Sequence, residues 1–257
     1  MDDVHSPNIS TPSGPLRDHA GTPKFRHQAI AVVMSVDAHD GLRVLLHRRH
    51  RAPFSGGLAL VSGPVDVKET IDEALLRHLD NAGVHRDMFE HFEQVETRSD
   101  VDRDPYDRTI ATVYLVLLPA AQAQKLGEDT TAYRWVPIKD EQITNLAFDH
   151  SEIVQNTVER LRAKITYSNI SFALAPEEFT ILDLNVIYRH VLGFPIDTTN
   201  LGRVLSRRGL LVETGEKRKP HGGGRPARVY RFVSRELSIT DPSAMFRPAG
   251  TSIVQPG

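Results

Sequence analysis

The sequence predicts an α/β (α+β) protein in which an α/β/α sandwich with a mixed sheet is followed by a small helical domain. Runs of β-branched and aliphatic residues recur at strand length through residues 27–150, with two or three helical segments among them. Basic residues concentrate further along: residues 27–166 hold 16 Lys and Arg against 22 Asp and Glu, whereas residues 167–233 hold 10 against 6. We therefore expect an acidic larger domain and a basic smaller one, which is typical of binding to a polyanion or of a solvated basic face.

The composition of the 257 residues excludes several classes of protein. There is no cysteine, which rules out a disulfide scaffold, a thiolate metal site and a cysteine nucleophile. No apolar run approaches the ~20 residues of a membrane span, and the first ten residues lack a signal-peptide core. We expect a soluble, cytoplasmic protein with no membrane contact and four segments: a disordered tail at 1–26, domains at 27–166 and 167–233, and a second tail at 234–257.

Each predicted element of the larger domain follows from a local pattern. The turn at 37–41 separates two aliphatic runs and predicts a hairpin. Thr70 and Glu73 form a capping box at the start of a helix with apolar positions at helical spacing. Asp149 is predicted to cap the last helix of the domain. The predicted strands are 29–36, 42–48, 56–66, 92–98, 109–118 and 132–138, and the predicted helices are 70–79, 120–126 and 149–164.

The smaller domain has the outline of a winged helix-turn-helix. An amphipathic helix is predicted at 177–191, and a shorter one follows at 197–208 with Asp197 or Thr198 as its cap. Two strands at 210–215 and 227–233 then flank a basic, glycine-rich loop. Basic residues on such a hairpin suit contact with phosphates, while a protein-interaction module is the alternative interpretation.

Gly63, Glu69 and Arg77 have the spacing Gly-x5-Glu-x7-Arg, and the segment from 63 to 84 resembles the Nudix box. In that family the helix glutamates that follow the arginine hold divalent cations against a pyrophosphate, which polarises the phosphoryl group and activates water. Here His78 follows the arginine, and residues 77–84 offer the single carboxylate of Asp80. We therefore expect a Nudix fold that has kept its pocket but has no catalytic residue, no metal site and no cofactor.

A salt bridge between Glu69 and Arg77 is the structural interpretation of these two residues. Asp66, Asp72 and Glu73 form either an unconventional metal site or a solvated helix start. A dense cationic patch surrounds Arg48 and Arg49 and suits either a diphosphate or a solvated rim. Phe54 and Trp135 suit either stacking on an adenine or the core. The ligand-binding residues that we predict are Arg48, Arg49, Phe54, Gly63, Glu73 and Arg77.

The second helix of the smaller domain is expected to enter the major groove, where Asn suits adenine and Arg suits guanine. The segment DTTNLGRVL, which contains this helix, resembles that of Nudix-related transcriptional regulators, whose members often have a basic residue where this chain has Gly202. This resemblance implies that operator affinity depends more on the wing. The predicted DNA-binding residues are Thr198, Thr199, Asn200, Arg203, Arg207, Lys217, Lys219 and Arg225.

Over residues 27–233, the chain resembles more specifically the Nudix-related transcriptional regulators of NAD metabolism. The segments that carry this resemblance are LAFDH, PEEFTILDLNVIYRHVLG, DTTNLGRVL and GRPARVYRF. This resemblance implies a homodimeric repressor of NAD synthesis or salvage genes, a palindromic double-stranded DNA operator, and ADP-ribose or a related nucleotide as effector. Two alternatives remain: an active ADP-ribose or nucleoside-diphosphate pyrophosphohydrolase with a nucleic-acid-binding domain, and a protein-interaction adaptor.

Overall fold

The structure is a computed structural model that describes residues 17–129, 132–219 and 226–240. Its strands and helices fall within a few residues of most of the predicted elements. The strands are β1 (Arg26–Asp37), β2 (Gly41–Arg48), β3 (Leu58–Pro64), β4 (His91–Arg98), β5 (Thr109–Leu117), β6 (Tyr133–Pro137), β7 (Leu211–Arg218) and β8 (Ala227–Phe232). The helices are α1 (Ile71–Asn81), α2 (Ala120–Asp129), α3 (His150–Tyr167), α4 (Ile181–Leu192) and α5 (Thr198–Arg207).

Strands β1 to β6 form one mixed sheet in the order β4-β5-β1-β3-β2-β6. Strands β1 and β5 run parallel over nine residue pairs, from Arg26 with Thr109 to Met34 with Leu117. The other pairings in this sheet are antiparallel. The mixed sheet with helices on both faces confirms the predicted α+β class.

Alternate residues of β1 face opposite sides of the sheet, as the two-residue period of a strand requires. Ala29, Ala31 and Val33 belong to a core cluster that includes apolar residues of α1. Ile30, Val32 and Met34 belong to a second cluster that includes apolar residues of α3. The sheet is therefore the middle layer of three.

The second cluster continues into the smaller domain without interruption. It contains residues of the sheet, the whole buried face of α3, and apolar residues of α4, α5 and β8. Helix α3 extends from His150 to Tyr167 as one uninterrupted helix and ends one residue after the expected domain boundary at 166. The two parts of the chain thus share one core.

Helix α4 begins later than the sequence suggested. Residues 177–179 are not helical: the backbone of Phe179 exchanges two hydrogen bonds with Tyr230 of β8, at 2.9 and 2.8 Å. Thr180 then caps the helix in a capping box with Asp183. Phe179 is buried. Its side chain is apolar because the residue packs beside β8 of the wing, and not because it lies on the buried face of a helix.

Both expected tails contain structured residues. The Asp18 carboxylate accepts hydrogen bonds from the backbone of Ala20 and Thr22, at 2.8 and 2.9 Å. At the other end, Arg235 donates hydrogen bonds to the carbonyls of Phe172 and Ala175, at 2.9 and 3.1 Å. The sequence predicted folded structure within residues 27–233, and the described residues 17–26 and 234–240 extend that folded structure at both ends.

Candidate functional site

The start of α1 is organised by the residues that the sequence singled out. The Glu69 carboxylate pairs with the guanidinium of Arg77 and accepts a 2.6 Å hydrogen bond from the backbone of Asp66. These hydrogen bonds, that of Arg77 first, lower the pKa of Glu69 to about 2. Arg77 also donates to the carbonyl of Pro64 at 3.1 Å. The predicted salt bridge therefore fastens the loop before α1 to the helix.

Glu73 has a structural role in this geometry. Its carboxylate accepts hydrogen bonds from the backbone and the hydroxyl of Thr70, at 2.7 and 2.9 Å, which completes the predicted capping box. The backbone hydrogen bond from Thr70, followed by that of its hydroxyl, lowers the pKa of Glu73. Such a box satisfies donors at the helix start that lack partners within the helix.

The remaining carboxylates of α1 also have partners. Asp72 accepts a hydrogen bond from the hydroxyl of Tyr114 at 2.5 Å. Asp80, near the end of the helix, is 2.5 Å from Nδ1 of His85. Between them, the ring of His78 lies against Gly63, and its Nε2 is 2.9 Å from the carbonyl oxygen of Pro64. Where the family pattern has a glutamate, this chain therefore places an imidazole against the end of β3.

The loop between β2 and β3 presents Phe54 to solvent. Phe54 has a φ of 61° and its side chain is exposed (48%), although it is a large aromatic residue. Arg48 donates to the carbonyl of Gly56 at 2.6 Å, and Arg49 donates to that of Pro53 at 3.0 Å. These two arginines therefore hold the loop in shape in addition to any contact with an anion.

The ring of Phe54 contacts a second aromatic residue with the same unusual backbone. Phe148 has a φ of 57°, and its ring centroid is 4.9 Å from that of Phe54 in an edge-on arrangement. The Arg49 guanidinium lies 4.6 Å from the centre of the Phe148 ring, within the range of a cation–π contact. Left-handed backbone conformations are costly for residues other than glycine, and they cluster at functional sites.

Asp149 and His150 follow Phe148 and have roles other than the predicted cap. Asp149 precedes the first residue of α3, but its side chain makes no capping hydrogen bond. It pairs instead with the buried Arg103, at 2.8 and 3.1 Å, and with Arg98 at 3.3 Å. Burial alone would raise the pKa of Asp149, but the hydrogen bond and charge of Arg103 outweigh it and lower the pKa. His150 is fully buried, which lowers its pKa to about 3, and its Nδ1 accepts a 3.1 Å hydrogen bond from the backbone of Leu60.

The structure arranges the six predicted ligand residues in two groups. Arg48, Arg49 and Phe54 precede β3 and lie at the end of the sheet where that strand begins. Gly63 lies near the other end of β3, and Glu73 and Arg77 follow in α1. Seven residues of strand span about 20 Å, so only an extended molecule would touch both groups. Sequence reasoning missed Phe148 and Arg103. The positive φ of Phe148 has no signal in the sequence, and Arg103 lay in a loop that resembled ordinary polar surface.

Helix α5 presents the predicted polar residues on one exposed face. Thr199, Asn200, Arg203 and Arg207 are exposed, while Leu201 and Leu205 are buried against the rest of the domain; Thr198 is half-buried. Asp197 caps the helix through a 2.6 Å hydrogen bond from the backbone of Asn200, as predicted. Arg203 donates a 2.8 Å hydrogen bond to the side-chain oxygen of Asn200, so the two act as one polar unit.

The structure gives Gly202 a packing role that the sequence did not indicate. A Cβ atom on Gly202 would lie 3.3 Å from a methyl carbon of Ile181 in α4. A side chain there would enter the contact between α4 and α5, so this residue says little about the balance between helix and wing. On the wing itself, Lys217 and Lys219 are exposed, Arg218 pairs with Asp183 at 3.5 Å, and Arg225 lies outside the described residues.

The family comparison agrees with the arrangement around β3 and α1. The NUDIX domain family matches residues 25–157, which is more than half of the chain. The chain belongs to the Nudix family. After the Nudix domain, residues 171–232 match the NrtR DNA-binding winged helix domain. The predicted pairing of a Nudix domain with a winged helix-turn-helix is thus confirmed.

Several known proteins resemble this Nudix protein, two of them over most of its length. It is 28% identical to the ADPR responsive transcriptional repressor NtrR of Acinetobacter baylyi, over 84% of this chain and 85% of that protein. The crystal structure of Shewanella oneidensis NrtR complexed with a 27mer DNA is 27% identical, with a TM-score of 0.72, and the match covers 85% of this chain and 96% of that one. An ADP-ribose pyrophosphatase of Methanocaldococcus jannaschii is 27% identical over 51% of this chain and 74% of that protein.

The Nudix box of this chain does not fit the cluster of divalent cations that the family pattern implies. Four of its five carboxylates bind separate partners: Arg77 for Glu69, Tyr114 for Asp72, Thr70 for Glu73 and His85 for Asp80. The fifth, Asp66, is exposed in the loop before α1. Among the residues that the structure describes, no three His, Asp or Glu side chains are grouped to hold a metal ion. The same residues include no helix with the length and apolar character needed to cross a bilayer.

Proposed function

We propose that this protein is a DNA-binding transcriptional repressor of genes for NAD synthesis or salvage, and that its Nudix domain binds ADP-ribose or a related nucleotide without hydrolysing it. The observation that carries the proposal is the union of two features in one chain. The first is a winged helix of the NrtR type with an exposed polar face on α5. The second is a Nudix domain in which carboxylates of the Nudix box, such as that of Glu73, make structural hydrogen bonds. The Acinetobacter baylyi relative, named as an ADPR responsive repressor, supports the same assignment.

DNA binding is supported by the exposed face of α5 and by the basic wing. Asn200, Arg203 and Arg207 recur at one-turn spacing on that face, which is how a recognition helix presents side chains to base edges. Lys217 and Lys219 on the wing are exposed cations that suit phosphate contacts. The Shewanella oneidensis NrtR structure was determined with DNA, which supports a duplex as the partner. We propose a homodimer on a palindromic operator, in the cytoplasm.

Binding without hydrolysis is supported by the occupied carboxylates and by His78. Mg²⁺ keeps its waters unless several oxygen ligands compete for it, and the carboxylates of α1 make other hydrogen bonds or ion pairs. The imidazole of His78 fills space against Gly63 at the end of β3. We assign Phe54 as a stacking surface for the nucleobase, Arg48 and Arg49 as contacts for phosphate, and Gly63, Glu73 and Arg77 as the far wall of the site.

A mobility shift tests the repressor function directly. Duplexes that bind the full-length protein are first recovered from a random library, and one of them is titrated with protein at two salt concentrations. We expect tight binding that weakens steeply with salt, and a release of DNA on addition of ADP-ribose. Failure to recover any bound duplex would contradict the proposal and would favour a protein-interaction adaptor.

Hydrolysis of ADP-ribose is the second candidate, favoured by the similarity to the Methanocaldococcus jannaschii ADP-ribose pyrophosphatase. Incubation of the protein with ADP-ribose and Mg²⁺, followed by chromatography for AMP, separates the two. We expect ADP-ribose to remain intact. Steady release of AMP at about one per second, a common enzymatic rate, would establish an enzyme instead.

A further inference from the structure

Helix α3 is the structural connection between the Nudix sheet and the winged domain. An α-helix of 18 residues is about 27 Å long. Near its C-terminal end, Arg162 donates to the carbonyl of Val191 in α4 at 3.1 Å. The carbonyl of Thr166 accepts a 2.9 Å hydrogen bond from Arg208, which follows α5. The last turns of α3 are therefore bonded to both helices of the DNA-binding unit.

The first turn of α3 is fixed to the Nudix domain in a similar way. The Arg98 guanidinium of β4 binds both carboxylate oxygens of Glu152, at 2.9 and 2.8 Å. Asp149 is held by the buried Arg103, whose guanidinium also lies 3.4 Å from the side-chain oxygen of Gln28 at the start of β1. The buried face between the two ends packs into the core that the two domains share. The helix is therefore anchored to the Nudix domain at one end and to the winged domain at the other.

Phe148 joins this helix to the exposed Phe54. Its ring contacts both Phe54 and the Arg49 guanidinium, at 4.9 and 4.6 Å, and its backbone leads directly into Asp149 and α3. Its left-handed φ of 57° costs conformational energy, so the local conformation is held by these contacts. A flat ligand that stacks on Phe54 changes the surroundings of Phe148 without touching the winged domain.

We propose that Phe148 and the first turn of α3 form the element through which an occupied nucleotide site alters DNA binding. The inference rests on the proposed function, which supplies the nucleotide as effector. The element is a positioning device: a nucleobase on Phe54 moves the Phe148 ring, which shifts the start of α3, and the far end of α3 carries α4 and α5 to a new orientation. A ligand acts in this way only if it prefers one of the two arrangements.

The test uses the full-length protein and a duplex selected from a random library. Phe148→Gly removes the ring and suits the left-handed backbone, because glycine populates positive φ freely. Phe25→Ala is the control: like Phe148, Phe25 has its ring over an arginine guanidinium, that of Arg108, but it lies just before β1 and outside α3. DNA affinity is measured by fluorescence anisotropy with and without ADP-ribose, and ADP-ribose affinity is measured by calorimetry without DNA.

We expect ADP-ribose to weaken DNA binding of the wild type and of Phe25→Ala by about tenfold or more, and that of Phe148→Gly by less than about threefold. Both variants should still bind ADP-ribose. If ADP-ribose weakens DNA binding of Phe148→Gly as much as that of the wild type, the inference alone is overturned. If ADP-ribose does not change DNA binding of the wild type, the proposed function is overturned as well. If Phe148→Gly does not fold, hydrogen exchange of the wild type decides: altered protection of residues 148–156 on ADP-ribose binding is expected, and unchanged protection refutes the inference.

Discussion

The imidazole ring of His78 lies directly against the α-carbon of Gly63. A Cβ atom on Gly63 would be 2.0 Å from Cε1 of His78, which is closer than any two such atoms approach in folded proteins. The ring is also hydrogen-bonded to the carbonyl of Pro64 at 2.9 Å. The absence of a side chain at position 63 is therefore what allows the ring to close the gap between β3 and α1.

Gly63→Ala is expected to lower the free energy of unfolding by about 1–3 kcal/mol, the usual cost of an added methyl group in a packed site. The methyl group must displace His78 and break its hydrogen bond to Pro64. Urea unfolding of the variant and the wild type measures the change.

His78→Ala provides the control for this substitution. The double variant is expected to lose less stability than the sum of the two single variants, because the methyl group added at position 63 meets no ring once His78 is alanine. Strictly additive losses would show that the ring does not constrain residue 63.

The buried His150 predicts a specific dependence of stability on pH. Its pKa falls from 6.5 to about 3 on folding, so the unfolded chain binds a proton that the folded protein does not. Stability is therefore complete above pH 6.5 and decreases as the pH falls toward 3. Between pH 7 and pH 5 this residue alone should cost about 2 kcal/mol of unfolding free energy.

The measurement compares urea unfolding of the wild type and His150→Asn at pH 7, 6 and 5. Asparagine retains an acceptor for the backbone of Leu60 but does not titrate. Burial also lowers the pKa of His27, His47 and His190, and these contributions cancel in the difference between the two proteins. Parallel curves for the two proteins would refute the assignment to His150.

Local patterns in the sequence were sufficient for the features that depend on neighbouring residues. The capping box of Thr70 and Glu73 was predicted correctly, and the cap of α5, Asp197, is one of the two predicted candidates, because capping needs partners only three residues apart. The Glu69–Arg77 bridge was also predicted correctly, although its residues are eight positions apart, because both belong to the Gly-x5-Glu-x7-Arg pattern.

Features that depend on distant residues were beyond that reasoning. Asp149 appeared to be a helix cap, but its partner Arg103 is 46 residues away and is brought close by the sheet. Phe179 had helical spacing and yet pairs with Tyr230 of the wing. In both cases tertiary contacts outweigh the local preference, which the sequence alone does not reveal.

The pair Arg103–Asp149 is expected to be important for stability. Arg103→Ala should lower the unfolding free energy by about 3 kcal/mol, because it leaves the largely buried Asp149 carboxylate with Arg98, at 3.3 Å, as its remaining cationic partner. Glu159→Gln is the comparison: Glu159 pairs with Arg162, but its side chain is exposed, so the loss should stay below about 1 kcal/mol. Denaturant titration of the three proteins tests the contrast, and similar losses for the two variants would contradict it.

The hydrogen bond from Arg203 to Asn200 predicts which base the recognition helix reads. The hydrogen bond from Arg203 occupies one lone pair of the Asn200 oxygen and fixes the orientation of the amide, so a paired contact with adenine would require this bond to rearrange. Arg203 retains donors for a guanine, so we expect a guanine at the contacted position. Arg203→Ala should cost about 1–3 kcal/mol of binding free energy and relax the preference at that position.

Lys219→Gln separates base reading from phosphate contact. Lys219 is an exposed cation on the wing, so its loss should weaken all duplexes about equally and reduce the salt slope by about 1. The measurement is fluorescence anisotropy at several salt concentrations, with the selected duplex and with versions that carry each base at the contacted position. If Arg203→Ala weakened every duplex equally and left the base preference intact, Arg203 would contact phosphate and not a base edge.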